Sequence, residues 1–262
     1  MTAPEDENPP REESGNVVSL PQGRARDRLI AAKEKERAGQ DKDNAEPLFH
    51  KPLLNLPPVT RFMLLVFLAV HILSDMFVDE QTQFWIFRSF GFVPGYYTGS
   101  LPFGWEALAG PFTFTLLHGG WTHILLNGFM MMAFGTGVER WMGGRRMLVF
   151  FMLCNLCAAL AQFVFDPYST APVIGASGGL SGLFAAVLLM MQQQQGLGSG
   201  NRHGIWPFII LWIVISVVFG LIGGPGGSSI AWAAHIGGFL AGFVLYKPVM
   251  RTRFLGGARH LD

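Results

Sequence analysis

The chain has 262 residues, of which 50% are hydrophobic and 14% are charged, and it contains 33 glycines and 12 methionines. Its charged residues fall almost entirely outside several long apolar runs, which is typical of a polytopic membrane protein and excludes a soluble globule with one large core. The formal net charge of +1 gives no indication of a nucleic-acid partner, and none is predicted.

The N-terminal segment differs from the rest of the chain. Residues 1–58 are rich in Glu, Asp, Lys, Arg, Pro, Gly and Ser, and they predict a mostly disordered tail with one short helix over about Gly23–Arg37. No charged start followed by an apolar stretch is present, so no cleavable signal peptide is predicted. Pro57-Pro58 marks the boundary with a membrane domain over 59–248, and a short basic C-terminal tail covers 249–262.

Six apolar runs follow, each compatible with the roughly 20 residues that a helix needs to cross a bilayer. They are about Thr60–Val78, Gly120–Thr136, Met147–Phe165, Gly175–Met191, Trp206–Ile222 and Ala231–Tyr246. The sequence therefore predicts an all-α polytopic membrane protein with six transmembrane helices. The long loop between the first two runs, about Asp79–Pro111, is rich in aromatic residues, and we expect it to lie in the membrane interface or the outer leaflet.

Positive charge predicts the orientation of these helices. Arg140, Arg145 and Arg146 lie between the second and third runs, Arg202 lies between the fourth and fifth, and both terminal segments carry several Lys and Arg. The third-to-fourth and fifth-to-sixth connections carry no Lys or Arg, and the first loop carries only Arg88. The positive-inside rule therefore places both termini in the cytoplasm.

A serine between glycines opens the fourth run, within the stretch G-A-S-G-G-L-S-G at Gly175–Gly182. A polar residue below the membrane surface is costly and suggests a functional role. A helix N-terminus offers unpaired N–H donors and the positive end of a dipole, which suit an oxyanion. The glycine spacing alone also fits a helix-packing face, so this stretch by itself leaves both interpretations open.

Polar residues of three runs are predicted to lie at one depth. Runs two, four and six enter the membrane from the same side, and their first turns carry His123 and Asn127, Ser177, and His235 respectively. Each of these residues alone fits an interhelical hydrogen bond worth about 1 kcal/mol, but the set favours a site. His71, by contrast, is alone in run one without a motif partner, and we interpret it as a packing or interfacial residue.

Chemical roles follow from residue type. A serine needs a base to become a nucleophile, and histidine titrates in the right range. His235 is the candidate base because Gly238 and Gly242 follow it at a spacing that lets run six pack closely on run four. This packing would bring the imidazole to the hydroxyl of Ser177. No acid lies in a run beside His235, so a Ser–His dyad without a third member is expected.

The second run supplies two further candidates. His123 and Asn127 are four residues apart and share a helix face, as two oxyanion donors should. No metal site is predicted, because His118 and His123 are five residues apart and no H-E-x-x-H motif is present. Cys154 and Cys157 are interpreted as buried apolar residues. His118 is expected to anchor a loop by hydrogen bonding.

These residues resemble the rhomboid intramembrane serine proteases over about Thr60–Pro248. The shared motifs are G-x-S-G at Gly175–Gly178, H-x-x-x-x-H-x-x-x-N at His118–Asn127, H-x-x-G-x-x-x-G at His235–Gly242, and G-x-x-x-E-x-x-x-G through Gly135, Glu139 and Gly143. Any one motif alone is weak, whereas together and in this order they are a strong signal.

The resemblance implies a six-helix rhomboid-like bundle with a water-accessible cavity, which cleaves transmembrane protein substrates near the outer membrane face. It implies that Ser177 is the nucleophile, that His235 is the base, and that His123, Asn127 and the Ser177 amide stabilise the oxyanion. It implies a structural role for Glu139, which would tie the inner loop after run two. We expect a multi-pass protein of a bacterial inner membrane that contacts lipids and uses no cofactor.

Two positions depart from the family pattern. Many rhomboids carry Trp-Arg eight or nine residues before the first motif histidine, where Ala109-Gly110 stand here, so loop anchoring must differ. Many also carry Tyr or Phe four residues after the nucleophile, where Ser181 stands here. The smaller residue leaves the catalytic imidazole less constrained, or lets another aromatic side chain such as Trp232 or Phe184 take the position.

Two alternatives remain open. A catalytically silent rhomboid-like protein would bind membrane clients without cutting them, and the two departures favour it. A six-helix transporter would use the polar cluster for a solute, but it would need charged or broken-helix sites near the midplane, and the runs contain no acid pair. For the protease, the glycine-rich segment Gly223–Ser229 predicts a mobile cap near the place where substrates enter from the lipid.

Overall fold

The computed structural model describes residues 31, 33, 55–194, 204–222 and 231–251, without the side chains of 194 and 219–222. Chain contacts divide the protein between Asn55 and Leu56, and nearly all described residues belong to the second unit. The predicted disordered tail, nearly all of its short helix, most of the C-terminal tail and the predicted cap segment lie outside the described residues.

Within the described residues the second unit is helical. Its α-helices are α1 (Pro58–Met76), α2 (Glu80–Phe90), α3 (Trp105–Thr113), α4 (Trp121–Met130), α5 (Thr136–Met142), α6 (Gly144–Phe165), α7 (Ser177–Gln194), α8 (Trp206–Ile222) and α9 (Trp232–Arg251). A π-helical segment, Met131–Gly135, joins α4 to α5, and 3₁₀ turns at Pro94–Tyr96 and Phe114–Leu116 flank α3. One isolated antiparallel β-bridge joins Phe92 to Val173.

Three described helices are long and apolar enough to cross a membrane, by length and composition. They are α1, α6 and α9, with mean hydropathies of 1.7, 2.2 and 1.2. In α8 the stretch Trp206–Val218 is a shorter apolar helix. All six predicted runs lie on helices, and α9 continues past the predicted end of its run to Arg251. The count of six spans and the cytoplasmic termini stay predictions.

Large apolar side chains are exposed on several of these helices. On α1, Phe62 is 65% exposed and Leu73 is 61% exposed, and on α8 Ile210 is 58% exposed. The short helices of the first loop also expose aromatic rings, with Trp85 at 56% and Trp105 at 49%. Apolar surface of this extent suits lipid, and aromatic rings are common at membrane interfaces.

The first loop is fastened where α3 meets the end of α2. An ideal Cβ on Gly110 would lie 2.5 Å from the carbonyl oxygen of Gly91, so the two backbones touch. The hydroxyl of Thr113 donates to the carbonyl of Phe90 at 2.7 Å. These contacts lie at and just after Ala109-Gly110, the position where many rhomboids have Trp-Arg. Here the loop is attached by close backbone packing and one hydroxyl hydrogen bond.

Three helices, α6, α7 and α9, pack through small residues. A Cβ on Gly238 of α9 would collide with the carbonyl oxygen of Gly178 on α7, and one on Gly242 would lie 2.6 Å from that of Gly182. Gly182 also lies against the side chain of Cys154 on α6. Such glycine contacts allow membrane helices to approach backbone to backbone. The side of α7 that carries Ser177 is therefore held closely against α9.

A buried carboxylate fixes the start of α1. Glu139 of α5 is 5% exposed and accepts three hydrogen bonds, from the backbone N–H groups of Val59 and Thr60 at 3.0 and 2.6 Å and from the Thr60 hydroxyl at 2.7 Å. A helix N-terminus lacks acceptors for its first N–H groups and favours a negative charge. The sequence motif assigned Glu139 a structural role, but it did not predict this attachment to α1.

We expect Glu139→Gln to lower the free energy of unfolding by roughly 1.5–3 kcal/mol, because hydrogen bonds to a charged group are stronger and the amide NH₂ would face N–H donors. Thermal unfolding in one detergent measures this loss. The matched control is Glu80→Gln, which changes an exposed acid in the first turn of α2. Equal unfolding temperatures for the two variants would contradict this role of Glu139.

Candidate functional site

The closest polar contact between α7 and α9 joins Ser177 and His235. Ser177 is the first residue of α7, and His235 lies in the first turn of α9. The Nε2 atom of His235 is 2.8 Å from the Oγ atom of Ser177, and both side chains are partly buried. This distance is that of a hydrogen bond, so a neutral imidazole at this position can accept the hydroxyl proton.

The N-terminus of α7 is fastened by an asparagine that the sequence analysis missed. Asn155 of α6 is fully buried, and its Oδ1 accepts from the backbone N–H of Gly179 at 2.9 Å. Its Nδ2 donates to the carbonyl of Phe151 at 3.2 Å, which fixes the orientation of the amide. Helix geometry leaves the N–H of Ser177 without an intrahelical acceptor. The cost of a polar residue inside an apolar run was the available signal for Asn155.

His123 and Asn127 meet at the backbone of Gly175, two residues before Ser177. An ideal Cβ on Gly175 would lie 2.6 Å from His123 Nε2 and 3.6 Å from Asn127 Nδ2. The φ angle of Gly175 is +115°, a conformation that side-chain-bearing residues rarely adopt. Glycine is therefore required here twice, for its backbone angle and for the space that the His123 ring fills.

The hydrogen bond at the other ring nitrogen sets the proton position in His123. The backbone N–H of Gly119 donates to His123 Nδ1 at 3.3 Å. Because Nδ1 is an acceptor, a neutral ring carries its proton on Nε2, on the side of Gly175. Asn127 is 2% exposed, and its Nδ2 has no partner within the described residues. The two side chains thus bring N–H donors to the backbone of Gly175, two residues before Ser177.

The position four residues after Ser177, which carries an aromatic residue in many rhomboids, is filled differently. Ser181 is fully buried, and its hydroxyl donates to the carbonyl of Ser177 at 2.7 Å. Trp232 and Phe184, considered above as substitutes, contact other aromatic rings. In the described part of the chain no aromatic ring stacks on His235. The imidazole is therefore held by the packing of α9 on α7 and by its contact with Ser177.

His118 lies in the loop before α4 and is 1% exposed. Its ring nitrogens meet no strict hydrogen-bond geometry with a described residue, but the backbone of Leu116 lies close enough to act on the ring as a weak hydrogen-bond partner, so the loop-anchoring role stays a prediction. Its ring packs between Phe67, with centroids 5.5 Å apart, and His123, at 5.2 Å. No group of three or more His, Cys, Asp or Glu side chains within the described residues is placed to hold a metal ion.

Comparison with known proteins assigns the family. The model of the Rhomboid domain matches residues 106–252, which include every residue of the site described above except Phe67. This chain belongs to the rhomboid family. Its apolar helices and this membership together indicate an integral membrane protein.

Three relatives illustrate the similarity. The chain is 33% identical over 128 residues to the rhomboid protease GluP of Bacillus subtilis, which is 49% of this chain and 23% of GluP. It is 31% identical over 153 residues to YdcA, a candidate rhomboid protease of the same bacterium, which is 58% of this chain and 71% of YdcA. It is 26% identical over 202 residues to the rhomboid protease GlpG of Klebsiella pneumoniae, which is 76% of this chain and 66% of GlpG.

The match to GluP therefore spans less than a quarter of that relative, while the other two alignments span about two thirds of theirs or slightly more. The region that the Rhomboid model matches is the helical one that carries Ser177 and His235. The relatives bear the name of rhomboid proteases, so intramembrane protease activity is the activity that the family indicates in general.

We expect Gly175→Ala to reduce cleavage of a model transmembrane substrate by roughly 10²-fold, the typical effect of losing an oxyanion donor. The new methyl group would collide with the His123 ring, and the φ of +115° would be strained. The matched control is Gly119→Ala, whose Cβ would lie in ordinary contact, 3.4 Å from Ile174. Full turnover by a folded Gly175→Ala protein would show that His123 can move away without consequence.

Proposed function

We propose that this rhomboid is an intramembrane serine endopeptidase in which Ser177 and His235 form a catalytic dyad. The observation that carries the proposal is the 2.8 Å contact between His235 Nε2 and Ser177 Oγ at the start of an apolar helix. Family membership and the names of the relatives support it. The separate convergence of His123 and Asn127 on Gly175 supports it further.

The proposed reaction begins when Ser177 Oγ attacks the carbonyl carbon of the scissile peptide bond and His235 Nε2 takes the hydroxyl proton. The negative charge moves to the carbonyl oxygen. His123 Nε2–H, Asn127 Nδ2–H and the Ser177 amide N–H would donate to that oxygen. His235 then gives its proton to the leaving amine, and the carbon–nitrogen bond breaks. Water, activated by the same imidazole, hydrolyses the acyl-enzyme and restores Ser177.

The dyad would work without a carboxylate. The helix α9 contains no Asp or Glu, so no acid on its own helix can orient His235. The orienting task falls to the glycine packing of α9 on α7, through Gly238 and Gly242. A rigid membrane helix pair supplies the fixed geometry that a third triad member supplies elsewhere, because a positioned base needs orientation more than it needs charge.

The placement in the membrane follows from the sequence pattern. We propose six membrane spans with both termini in the cytoplasm of a bacterial cell, so that Ser177 lies near the outer face of the inner membrane. The substrates would be transmembrane proteins that reach the site sideways from the lipid, near the outer ends of α8 and α9. The alternative, a protein that binds membrane clients without cutting them, predicts binding but no serine reactivity.

Ser177→Ala and His235→Ala should each reduce cleavage of a model transmembrane substrate below detection, and the double variant should be no worse than either, because the two residues act as a unit. Gel analysis of reconstituted protein measures cleavage, and a fluorophosphonate probe measures serine reactivity. Ser216→Ala, a buried serine of α8, is the matched control and should remain active. Cleavage by folded Ser177→Ala would reject the mechanism, and client binding by an unreactive wild type would favour the silent alternative.

His123→Ala and Asn127→Ala should each lower turnover by about 10²–10³-fold, or less where a remaining donor compensates, because each removes one N–H from the developing oxyanion. Labelling by the fluorophosphonate should persist at a reduced rate, since nucleophile and base are intact. The ratio of kcat for variant and wild type measures the effect at matched folded fractions. Unchanged turnover in both variants would exclude the oxyanion role.

A further inference from the structure

Two buried histidines lie beside the site without a role in the proposed reaction. His71 of α1 is 0% exposed and His118 is 1% exposed, and none of their ring nitrogens meets strict hydrogen-bond geometry with a described residue. The backbone of Leu116 acts on the His118 ring as a weak partner, which leaves the other nitrogen of His118 and both of His71 without a described one. Roughly 90% or more of buried polar groups in native proteins are paired, with protein or with water, so each exception requires an explanation. The family motifs include His118 but assign nothing to His71.

The two rings line up with His123. The ring centroids of His118 and His123 are 5.2 Å apart with planes at 69°, and those of His71 and His118 are 6.5 Å apart with planes at 81°. These three side chains are called the imidazole row below. The row leads from α1 to the proposed oxyanion site. Polar groups that face each other beyond direct hydrogen-bond distance are commonly bridged by water.

The outer end of the row is closed by a tryptophan. The ring of Trp121 meets His71 edge to face, with centroids 4.8 Å apart and planes at 80°. Its Nε1 donates to Asp75 Oδ2 at 3.0 Å, and Asp75 is exposed one helical turn beyond His71 on α1. Trp121 itself is 45% exposed, so it separates the buried row from the protein surface.

Simple packing does not account for these residues. A buried polar group without a partner costs about 1–3 kcal/mol, whereas a leucine or phenylalanine at the same place would have no such cost. Phe67, one turn before His71, already packs an apolar ring against His118 at 5.5 Å. A metal ion does not account for the row either, since the described residues form no metal-binding group.

We propose that His71 and His118 are positioning residues that hold water between their rings and thereby fix the orientation of His123. His118, anchored to His71 through water, contacts the His123 ring across its face and stops it from rotating. The hydrogen bond from Gly119 holds the ring at Nδ1. Together these contacts keep Nε2–H directed toward Gly175 and the developing oxyanion. This inference rests on the proposed protease function.

The test compares His71→Leu with His71→Gln in the full-length protein. The leucine variant should lower kcat for a model transmembrane substrate about tenfold, less than the roughly 10²-fold loss of a removed oxyanion donor. Its KM should stay near that of wild type, because His71 lies apart from the nucleophile and base, and its unfolding temperature should change little, because leucine fills a buried place beside the Trp121 ring. Glutamine, whose amide can hold the water, should restore most of the lost kcat. The packing control is Met63→Ala, which removes a buried side chain of α1 outside the imidazole row and should lower the unfolding temperature but leave kcat near that of wild type.

A double-variant cycle tests the route of the effect. If His71 acts through His123, then His71→Leu should cause no further loss in the His123→Ala background. Ring ¹⁵N chemical shifts of His123 give a readout that does not require cleavage, and they should change in His71→Leu but not in Met63→Ala. If the wild type shows no cleavage but its His123 ring shifts still respond to His71→Leu, the protease proposal is rejected and the coupling of His71 to His123 is not.

Three results would overturn the inference. The first is full kcat in His71→Leu, together with unchanged His123 ring shifts. The second is an equal loss of kcat in His71→Leu and His71→Gln that is proportional to their loss of stability, since His71 would then act through packing alone. The third is an additive loss in the His123→Ala background, since the effect of His71 would then not pass through the oxyanion donor.

Discussion

The site depends on the direct approach of two helix backbones, α7 and α9. Gly238 lies against the carbonyl of Gly178, and Gly242 lies against that of Gly182, with no side chain between them. A methyl group at either α9 position would push the helices apart. A displacement of about 1 Å at a reacting centre can cost about 10²-fold in rate. The 2.8 Å distance from His235 to Ser177 is thus set by residues that carry no chemistry of their own.

Ser177 is positioned by the start of its helix as much as by its contact with His235. Asn155 takes the N–H of Gly179, while the Gly175 backbone bends in a conformation that admits the His123 ring. These two contacts come from different helices, α6 and α4, and they act on either side of Ser177. The hydrogen bond from Gly179 to Asn155 fixes the start of α7, and the Gly175 backbone fixes how closely the His123 ring approaches. A single serine is therefore constrained by segments before it, after it and across from it.

The sequence predicted what is encoded locally. Apolar runs located the helices, and the motifs led to pairing Ser177 with His235 before any distance was known. It did not predict that Glu139 accepts hydrogen bonds from the start of α1, nor that Asn155 accepts one from the start of α7. Such hydrogen bonds join segments that are distant in the chain, and the order of the segments does not specify which helix faces will meet. His71 was interpreted as a packing or interfacial residue for the same reason. The π-helical segment after α4 also had no signal, since the stretch Phe129–Phe134 is apolar at every position and shows no periodicity that an extra residue could shift.

The pairing of buried polar side chains separates two kinds of residue in this protein. Glu139 has three donors and Asn155 has both of its hydrogen bonds, so both are structural ties that cost little once formed. Asn127, His118 and His71 are equally buried but keep nitrogens without described partners, and all three adjoin His123 or its stretch of helix. A donor that is already hydrogen-bonded within the protein is not free to bind a substrate. Unpaired donors are tolerated where a reaction or ordered water completes them, and these three residues lie near the proposed oxyanion, although Thr136 and Trp212 also keep a buried polar atom without a described partner.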